Sequence, residues 1–247
     1  MRNSNLSVNK SEQPVARQAV LPIYSVTPFT MLDFPRKTAC IVWFTGCNMR
    51  CPYCHNPQIV KGKGRGDIAE VMAFLKKRQG LLDGVVLSGG EATSYASLPD
   101  FIQTIKSLGY AIKLDTNGLR PDILEELLIR KLLDFVALDY KAPPEKFKRV
   151  TGTDKFKDFE KTLDMLCSRT AVPFEIRTTV HTDLLNEQDI QLIIDDLAAR
   201  KFYGTYALQN FRHDNNRPTL GLLRPQERLL DFSNIEFKHL NIELRNF

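Results

Sequence analysis

From residue 38 onward, short apolar runs rich in β-formers alternate with stretches of helical periodicity. TACIVWFTG (38–46), DGVVLSGG (83–90), YAIKLDTNG (110–118), FVALDYK (135–141), PFEIRTTV (173–180) and GTYALQNF (204–211) are the strand-like runs. Between them lie IAEVMAFLKKR (68–78), LPDFIQTIKSLG (98–109), PDILEELLIRKL (121–132), KDFEKTLDMLCSR (157–169) and EQDIQLIIDDLAAR (187–200). Runs that are apolar throughout suit strands covered on both faces, and their alternation with helices implies βαβ units around a parallel sheet. Crossovers of this kind are right-handed. Six strand–helix pairs therefore predict an α/β fold, a partial open (β/α)6 barrel of parallel strands rather than a closed barrel of eight. A short helix and a last strand are expected after Arg224. In such sheets the chemistry gathers at the C-terminal ends of the strands.

The rest of the chain sets bounds. No apolar run approaches the ~18 residues needed to cross a bilayer, so no membrane association is expected. Residues 1–20 are polar, lack an apolar signal core, and read as a flexible leader ahead of a single domain over 21–247. Five cysteines, three of them clustered, do not make a disulfide framework and fit a reducing cytoplasm. The net charge of +5 is spread among 34 basic and 29 acidic residues. The densest basic stretch, KGKGRG (61–66), reads as a solvated glycine-rich loop, so nucleic acid is not an expected partner.

Three of the cysteines carry the sharpest signal. In FTGCNMRCPYCHNP (44–57), Cys47, Cys51 and Cys54 are separated by three and then two residues. Zinc would need His55 as a fourth ligand, yet adjacent residues rarely both reach one tetrahedral ion, and no paired C-x-x-C knuckles are present. A cubane iron–sulfur cluster takes cysteine thiolates on four irons. Three thiolates leave one iron open to a non-protein ligand. Cys40, inside a strand, and Cys167, on an apolar helix face, read as small core residues.

The C-x-x-x-C-x-x-C spacing with Tyr53 before the last cysteine resembles the radical S-adenosylmethionine superfamily. The resemblance extends from about Thr38 to Phe211. It implies a [4Fe-4S] cluster whose fourth iron is chelated by S-adenosylmethionine, and reductive cleavage of that cofactor to a 5′-deoxyadenosyl radical. SGGE (88–91) matches the family's motif for the methionine moiety, placing Gly89, Gly90 and Glu91 at the cofactor. The glycines are expected to let the backbone approach the ligand. CHNP, LDTNG and LDYK together resemble the glycyl-radical activating enzymes. By that likeness Asp115, Thr116 and Asp139 lie near the ribose and sulfonium, around a monovalent cation. Lys141 and Arg177 would offer positive charge to the cofactor carboxylate or to a peptide. Where some activating enzymes carry a cofactor-contacting histidine after the sixth strand, the register here gives Arg212, with His213 one later.

The segment MLDFPRKTACIVWFTGCNMRCPYCHNP looks like the longer type of anaerobic ribonucleoside-triphosphate reductase activating protein. The implied partners are that glycyl-radical reductase and an electron donor of flavodoxin or ferredoxin type. Two other readings stand beside it, a pyruvate formate-lyase-type activating enzyme and a radical enzyme acting on a small molecule. Partner contacts are expected in a long basic loop over 142–156 and in the region Phe211 to Arg224. Replacing Cys47, Cys51 or Cys54 by Ala is expected to abolish formation of 5′-deoxyadenosine under dithionite, while Cys40→Ala and Cys167→Ala retain it. Full activity in Cys51→Ala would overturn the cluster reading.

Overall fold

Val85, Val86 and Leu87 are each fully buried, which is why DGVVLSGG becomes a central strand covered on both sides. The computed structural model describes residues 21–64, 66–169 and 171–247; the leader expected over 1–20 lies outside the described residues. Eight strands form one sheet in chain order: β1 (Ile23–Thr30), β2 (Ala39–Phe44), β3 (Gly84–Gly89), β4 (Ala111–Thr116), β5 (Phe135–Asp139), β6 (Phe174–Val180), β7 (Thr205–Asn210) and β8 (Asn241–Arg245). β1 pairs with β2 antiparallel, and every later pair is parallel. Strictly sequential order with right-handed crossovers puts the connecting helices on one face, so the sheet curls into a partial barrel instead of a doubly wound sandwich. Among the described residues no ladder joins β8 back to β1.

The helices are α1 (Pro57–Lys61), α2 (Ile68–Arg78), α3 (Leu98–Lys106), α4 (Pro121–Ile129), α5 (Pro144–Thr151), α6 (Phe156–Arg169) and α7 (Glu187–Ala199). Proline opens α3 and α4 in their first turn, where a missing N–H leaves no bond unmade. Asn186 caps α7 through a reciprocal capping box with Asp189. The Asp189 carboxylate also receives Lys146 of α5 at 2.6 Å.

Strand periodicity splits the core in two. On β2, Cys40, Val42 and Phe44 face the helix layer and join the main core. Their alternate neighbours Ala39 and Ile41 point into the barrel, where they meet Val86 and Phe34 in a small second core. Phe34 comes from the turn between β1 and β2 and stacks near Phe135, ring centroids 6.4 Å apart. It closes the N-terminal end of the barrel.

Three features differ from the sequence reading or complete it. β1 was absent from the sequence pattern: it is a half-exposed edge strand interrupted by Pro28, a residue that edge strands accept. The basic stretch expected to be a loop over 142–156 holds helix α5 instead. It buries Phe147 and Val150 and ends at Gly152, whose φ of 76° is the left-handed cap that glycine supplies without strain. Beyond Arg224 the short helix is a 3-10 turn, Phe232–Asn234, and the last strand is β8.

Phe34→Ala should cost about 3–5 kcal/mol in denaturant unfolding, since it empties the barrel plug. Phe29→Ala, on a side chain 54% exposed, should stay within roughly 0.5 kcal/mol.

Candidate active site

Strand register brings the chemically loaded residues to one level. Phe44 lies beside Gly89, Thr116 beside Leu138, and Asp139 beside Arg177. The C-terminal ends of β2 to β6 thereby surround a cleft of about 630 Å³, open to solvent. It is lined by Cys47, Cys51, Tyr53, Cys54, Gly89, Gly90, Glu91, Asp115, Thr116, Asp139, Lys141 and Arg177, all singled out from the sequence. Met49, Val60, Ser88 and Asn117 complete the lining. Arg212 stands apart: it is exposed beyond β7 and does not line the cleft.

The cysteine loop leaves β2 through Gly46, at φ 80°, and is folded by its own backbone bonds. Arg50 ties it with Nη1 donating to the carbonyls of Cys47 at 2.6 Å and Met49 at 2.7 Å. The Arg50 amide donates to Thr151 at the end of α5, 2.7 Å away. On the other flank Leu220 and Gly221 donate to the carbonyls of Cys54 and Pro52, each at 2.9 Å. All three cysteines are free thiols. Burial first, and the neighbouring Glu91 charge second, push the Cys47 thiol up to about 12, and burial raises Cys51 as well. Thiolates in this cleft need a cationic partner, and metal binding there must expel protons. Donors to one of them are already in place: the Met49 amide 3.4 Å and the Asn117 amide nitrogen 3.8 Å from Cys47 Sγ.

This donor set fits a cubane cluster, in which each cysteine holds its own iron and the sulfurs need not converge on one point. It does not fit zinc. Among the described residues no group of three or more His, Cys, Asp or Glu is placed around a single-ion site, and the His55 ring stacks on Phe211 at 5.1 Å.

The glycines of SGGE have a packing reason besides the one expected. Gly90 N–H donates to the Phe44 carbonyl and Glu91 N–H to the Gly46 carbonyl, both at 2.8 Å. A Cβ on Gly90 would collide with that Gly46 carbonyl, and one on Gly89 with the Phe44 backbone. The glycines let two backbones touch each other, and both still line the cleft. Glu91 is likewise turned inward and buried. Its carboxylate accepts from Thr93 N at 3.1 Å, Thr93 Oγ1 at 2.6 Å, Thr116 Oγ1 at 2.8 Å and Asn117 N at 2.7 Å. Burial raises its pKa in spite of those four donors. It clamps the DTNG turn to the SGGE turn, and Asn117, held at its own amide, reaches Asn48 at 2.7 Å on the cysteine loop.

Opposite the cysteines stands a charged group. Arg177 donates through Nε to Asp139 at 2.9 Å and lies 3.6 Å from Asp115. Lys141 meets Asp139 at 3.1 Å and sits 5.7 Å from the centre of the buried Tyr53 ring. Burial works against the charge on Asp139, but Arg177 and Lys141 outweigh it and hold the carboxyl below its ordinary range. Lys141, buried but beside Asp139, is held above its own. Beneath them Lys113 reaches Asp115 at 2.5 Å, and Ser88 donates to the other oxygen at 3.0 Å. Sequence reasoning passed over Lys113 and Ser88. The signal for Lys113 was available, since it lies two residues before Asp115 on one strand and so shares its face, and Ser88 stands at the head of the SGGE motif itself.

Residues 41–197 match the radical SAM superfamily. The chain belongs to it. The family's cofactors are a [4Fe-4S] cluster and S-adenosylmethionine, which the cleft's three thiols and charged wall suit. One relative, a putative glycyl-radical enzyme activating enzyme of Methanocaldococcus jannaschii, is 33% identical over 76% of this chain and 79% of its own length. A pyruvate formate-lyase-activating enzyme of Clostridium pasteurianum is 32% identical over 58% of this chain and 63% of its own. Among solved structures, Streptococcus suis SuiB bound to S-adenosylmethionine superposes with a TM-score of 0.62 at 13% identity, over 83% of this chain and 52% of that one. At that identity the likeness speaks for the fold alone. No helix among the described residues is long and apolar enough to cross a membrane.

Gly90→Val should displace the cysteine loop, so reconstituted protein should hold well under the full complement of iron. Asp139→Asn should keep the iron and weaken S-adenosylmethionine binding on the order of tenfold, because it strands two buried cations. Iron analysis and equilibrium dialysis check the pair, and normal iron in Gly90→Val would refute the backbone-packing account.

Proposed function

We propose that this protein activates a glycyl-radical enzyme by removing an α-hydrogen from a backbone glycine of that partner. The observation that carries the reading is the likeness to the Methanocaldococcus relative across three quarters of the chain, 76%, together with a cluster loop and charged wall that face one cleft and fall within the residues 41–197 matched to the family. When bound, the cluster and S-adenosylmethionine supply a carbon radical strong enough to take hydrogen from an unactivated C–H bond. The chain's own residues do the rest. Cys47, Cys51 and Cys54 would hold the cluster, with Asn117 and the Met49 amide directed at the Cys47 sulfur. Tyr53, Asp115, Thr116, Asp139, Lys141 and Arg177 would orient the cofactor, and Gly89, Gly90 and Glu91 fix the frame on which it rests. Arg212 and His213, at the exposed rim, would meet the partner more readily than the cofactor.

The partner we favour is an anaerobic ribonucleoside-triphosphate reductase, on the strength of the D-F-P-x-K entry and the C-H-N-P exit of the cysteine loop. The electron donor would be of flavodoxin or ferredoxin type, and the compartment cytoplasmic. Ordering a glycyl loop in the cleft costs roughly 1–2 kcal/mol per residue fixed, so contacts outside the cleft must offset it. α5 supplies a platform for them: its last turn carries Lys148 and Arg149, and its end is bonded to the cysteine loop through Arg50. The likeness to the Clostridium enzyme keeps a pyruvate formate-lyase as the second candidate partner.

The deciding experiment mixes reduced, cluster-loaded protein and S-adenosylmethionine with each candidate glycyl protein under anaerobic conditions. A doublet radical signal by electron paramagnetic resonance is expected on the reductase, and Lys148→Glu should lower its yield several-fold more than it lowers cofactor cleavage. A doublet only on the lyase would reassign the partner. Consumption of a small metabolite with stoichiometric 5′-deoxyadenosine, and no radical on either protein, would overturn the activase reading.

A further inference from the structure

The likeness to activating enzymes implies a monovalent cation between Asp115, Asp139 and the cofactor, and the residues present do not fit one. Asp115 Oδ1 is 2.5 Å from Lys113 Nζ and 3.6 Å from Arg177, and its Oδ2 accepts from Ser88 at 3.0 Å. Asp139 is bound by Arg177 at 2.9 Å and by Lys141 at 3.1 Å. The next carboxylate down, Glu175, is held by Arg245 at 2.9 Å and lies 3.9 Å from Arg177. Arg245 is shared with Glu243, also at 2.9 Å, so four carboxylates, Asp115, Asp139, Glu175 and Glu243, meet four cationic side chains, Lys113, Lys141, Arg177 and Arg245, and no net negative charge is left over. Oxygen lone pairs remain on the aspartates, but the attraction that would draw a further cation is already cancelled at short range by the paired ammonium and guanidinium groups.

Lys113 is the residue that makes the difference. Its side chain is 3% exposed, it does not line the cleft, and it touches the cleft only through Asp115. It stands two residues before Asp115 on β4, so the pleat carries its ammonium to the same face. We infer that Lys113 is a built-in counter-ion, a positioning residue that with Arg177 takes the place of the monovalent cation, so that this protein binds S-adenosylmethionine without one. The inference rests on the family's cofactor and not on the choice of glycyl-radical partner.

The test uses cluster-loaded full-length protein and measures S-adenosylmethionine affinity by equilibrium dialysis, in tetramethylammonium chloride and in potassium or sodium chloride at equal ionic strength. The unaltered protein should bind equally well in all three; tightening of tenfold or more with potassium or sodium overturns the inference. Lys113→Met, with unchanged iron content, should bind on the order of tenfold more weakly in tetramethylammonium. It should recover affinity with added potassium or methylammonium, which a merely structural role for Lys113 would not produce. Unchanged affinity in Lys113→Met, or no recovery with either cation, also overturns it. Should Lys113→Met fail to fold, the comparison of salts on the unaltered protein decides alone. Absence of any binding by iron-replete unaltered protein would instead refute the cofactor assignment, a separate and recognisable failure.

Discussion

Two backbone hydrogen bonds hold the active site together: Gly90 N–H to the Phe44 carbonyl and Glu91 N–H to the Gly46 carbonyl, each 2.8 Å long. They extend the β2–β3 pairing past the ends of the strands and fasten the start of the cysteine loop to the SGGE turn. Only glycine at 90 leaves room for that approach. Everything that defines the cleft hangs from this seam. The cysteines follow Gly46 directly, and Glu91, fixed at its own amide, turns its carboxylate inward to take four donors, two of them from the DTNG turn. Removing water from that carboxylate is costly, and the four bonds are what make its burial tolerable.

The cleft therefore has two walls of opposite character. On the cysteine wall burial raises the thiols of Cys47 and Cys51, so metal binding there releases their protons. The facing wall is ionic and self-neutralising, built from β4, β5 and β6 with Lys113 beneath it. A radical-generating site gains from this division. A cluster on the three cysteines would lie among backbone and apolar side chains such as Met49, while the cofactor's polar parts would meet fixed charges that need no reorganisation on binding.

The periphery extends the same frame outward. α5 abuts the cysteine loop through the bond between Arg50 and Thr151, and the segment after β7 crosses the other flank through Leu220 and Gly221. Buried His181 anchors that segment. Its Nδ1 accepts from the Asp183 amide at 3.2 Å, which leaves Nε2 to donate to the Arg224 carbonyl at 3.0 Å. The cysteine loop is thus braced from both sides by elements that belong to no strand of the barrel.

The sequence by itself determined the parallel α/β barrel and the group of residues around its mouth. Strand periodicity and the order of elements are local properties, and the rule that chemistry sits at strand ends turns one-dimensional positions into a common location. Arg212 shows where that rule stops: a residue past the strand end is placed by the following loop, and here the loop turns it to solvent. Tertiary structure alone decided three further matters. β1 exists because an edge strand needs only one apolar face, too weak a signal in IYSVTPFT to be read. The glycines and Glu91 of SGGE proved to serve the seam between turns, since what a missing Cβ makes room for depends on a neighbour 44 residues away in sequence, Gly46 opposite Gly90. Lys113 gained its role from three strands at once. A lysine in a strand is a cation in the sequence, but whether it is solvated or buried against Asp115, which Arg177 also approaches, depends on how the sheet curls, because only the closed side of the barrel removes it from water.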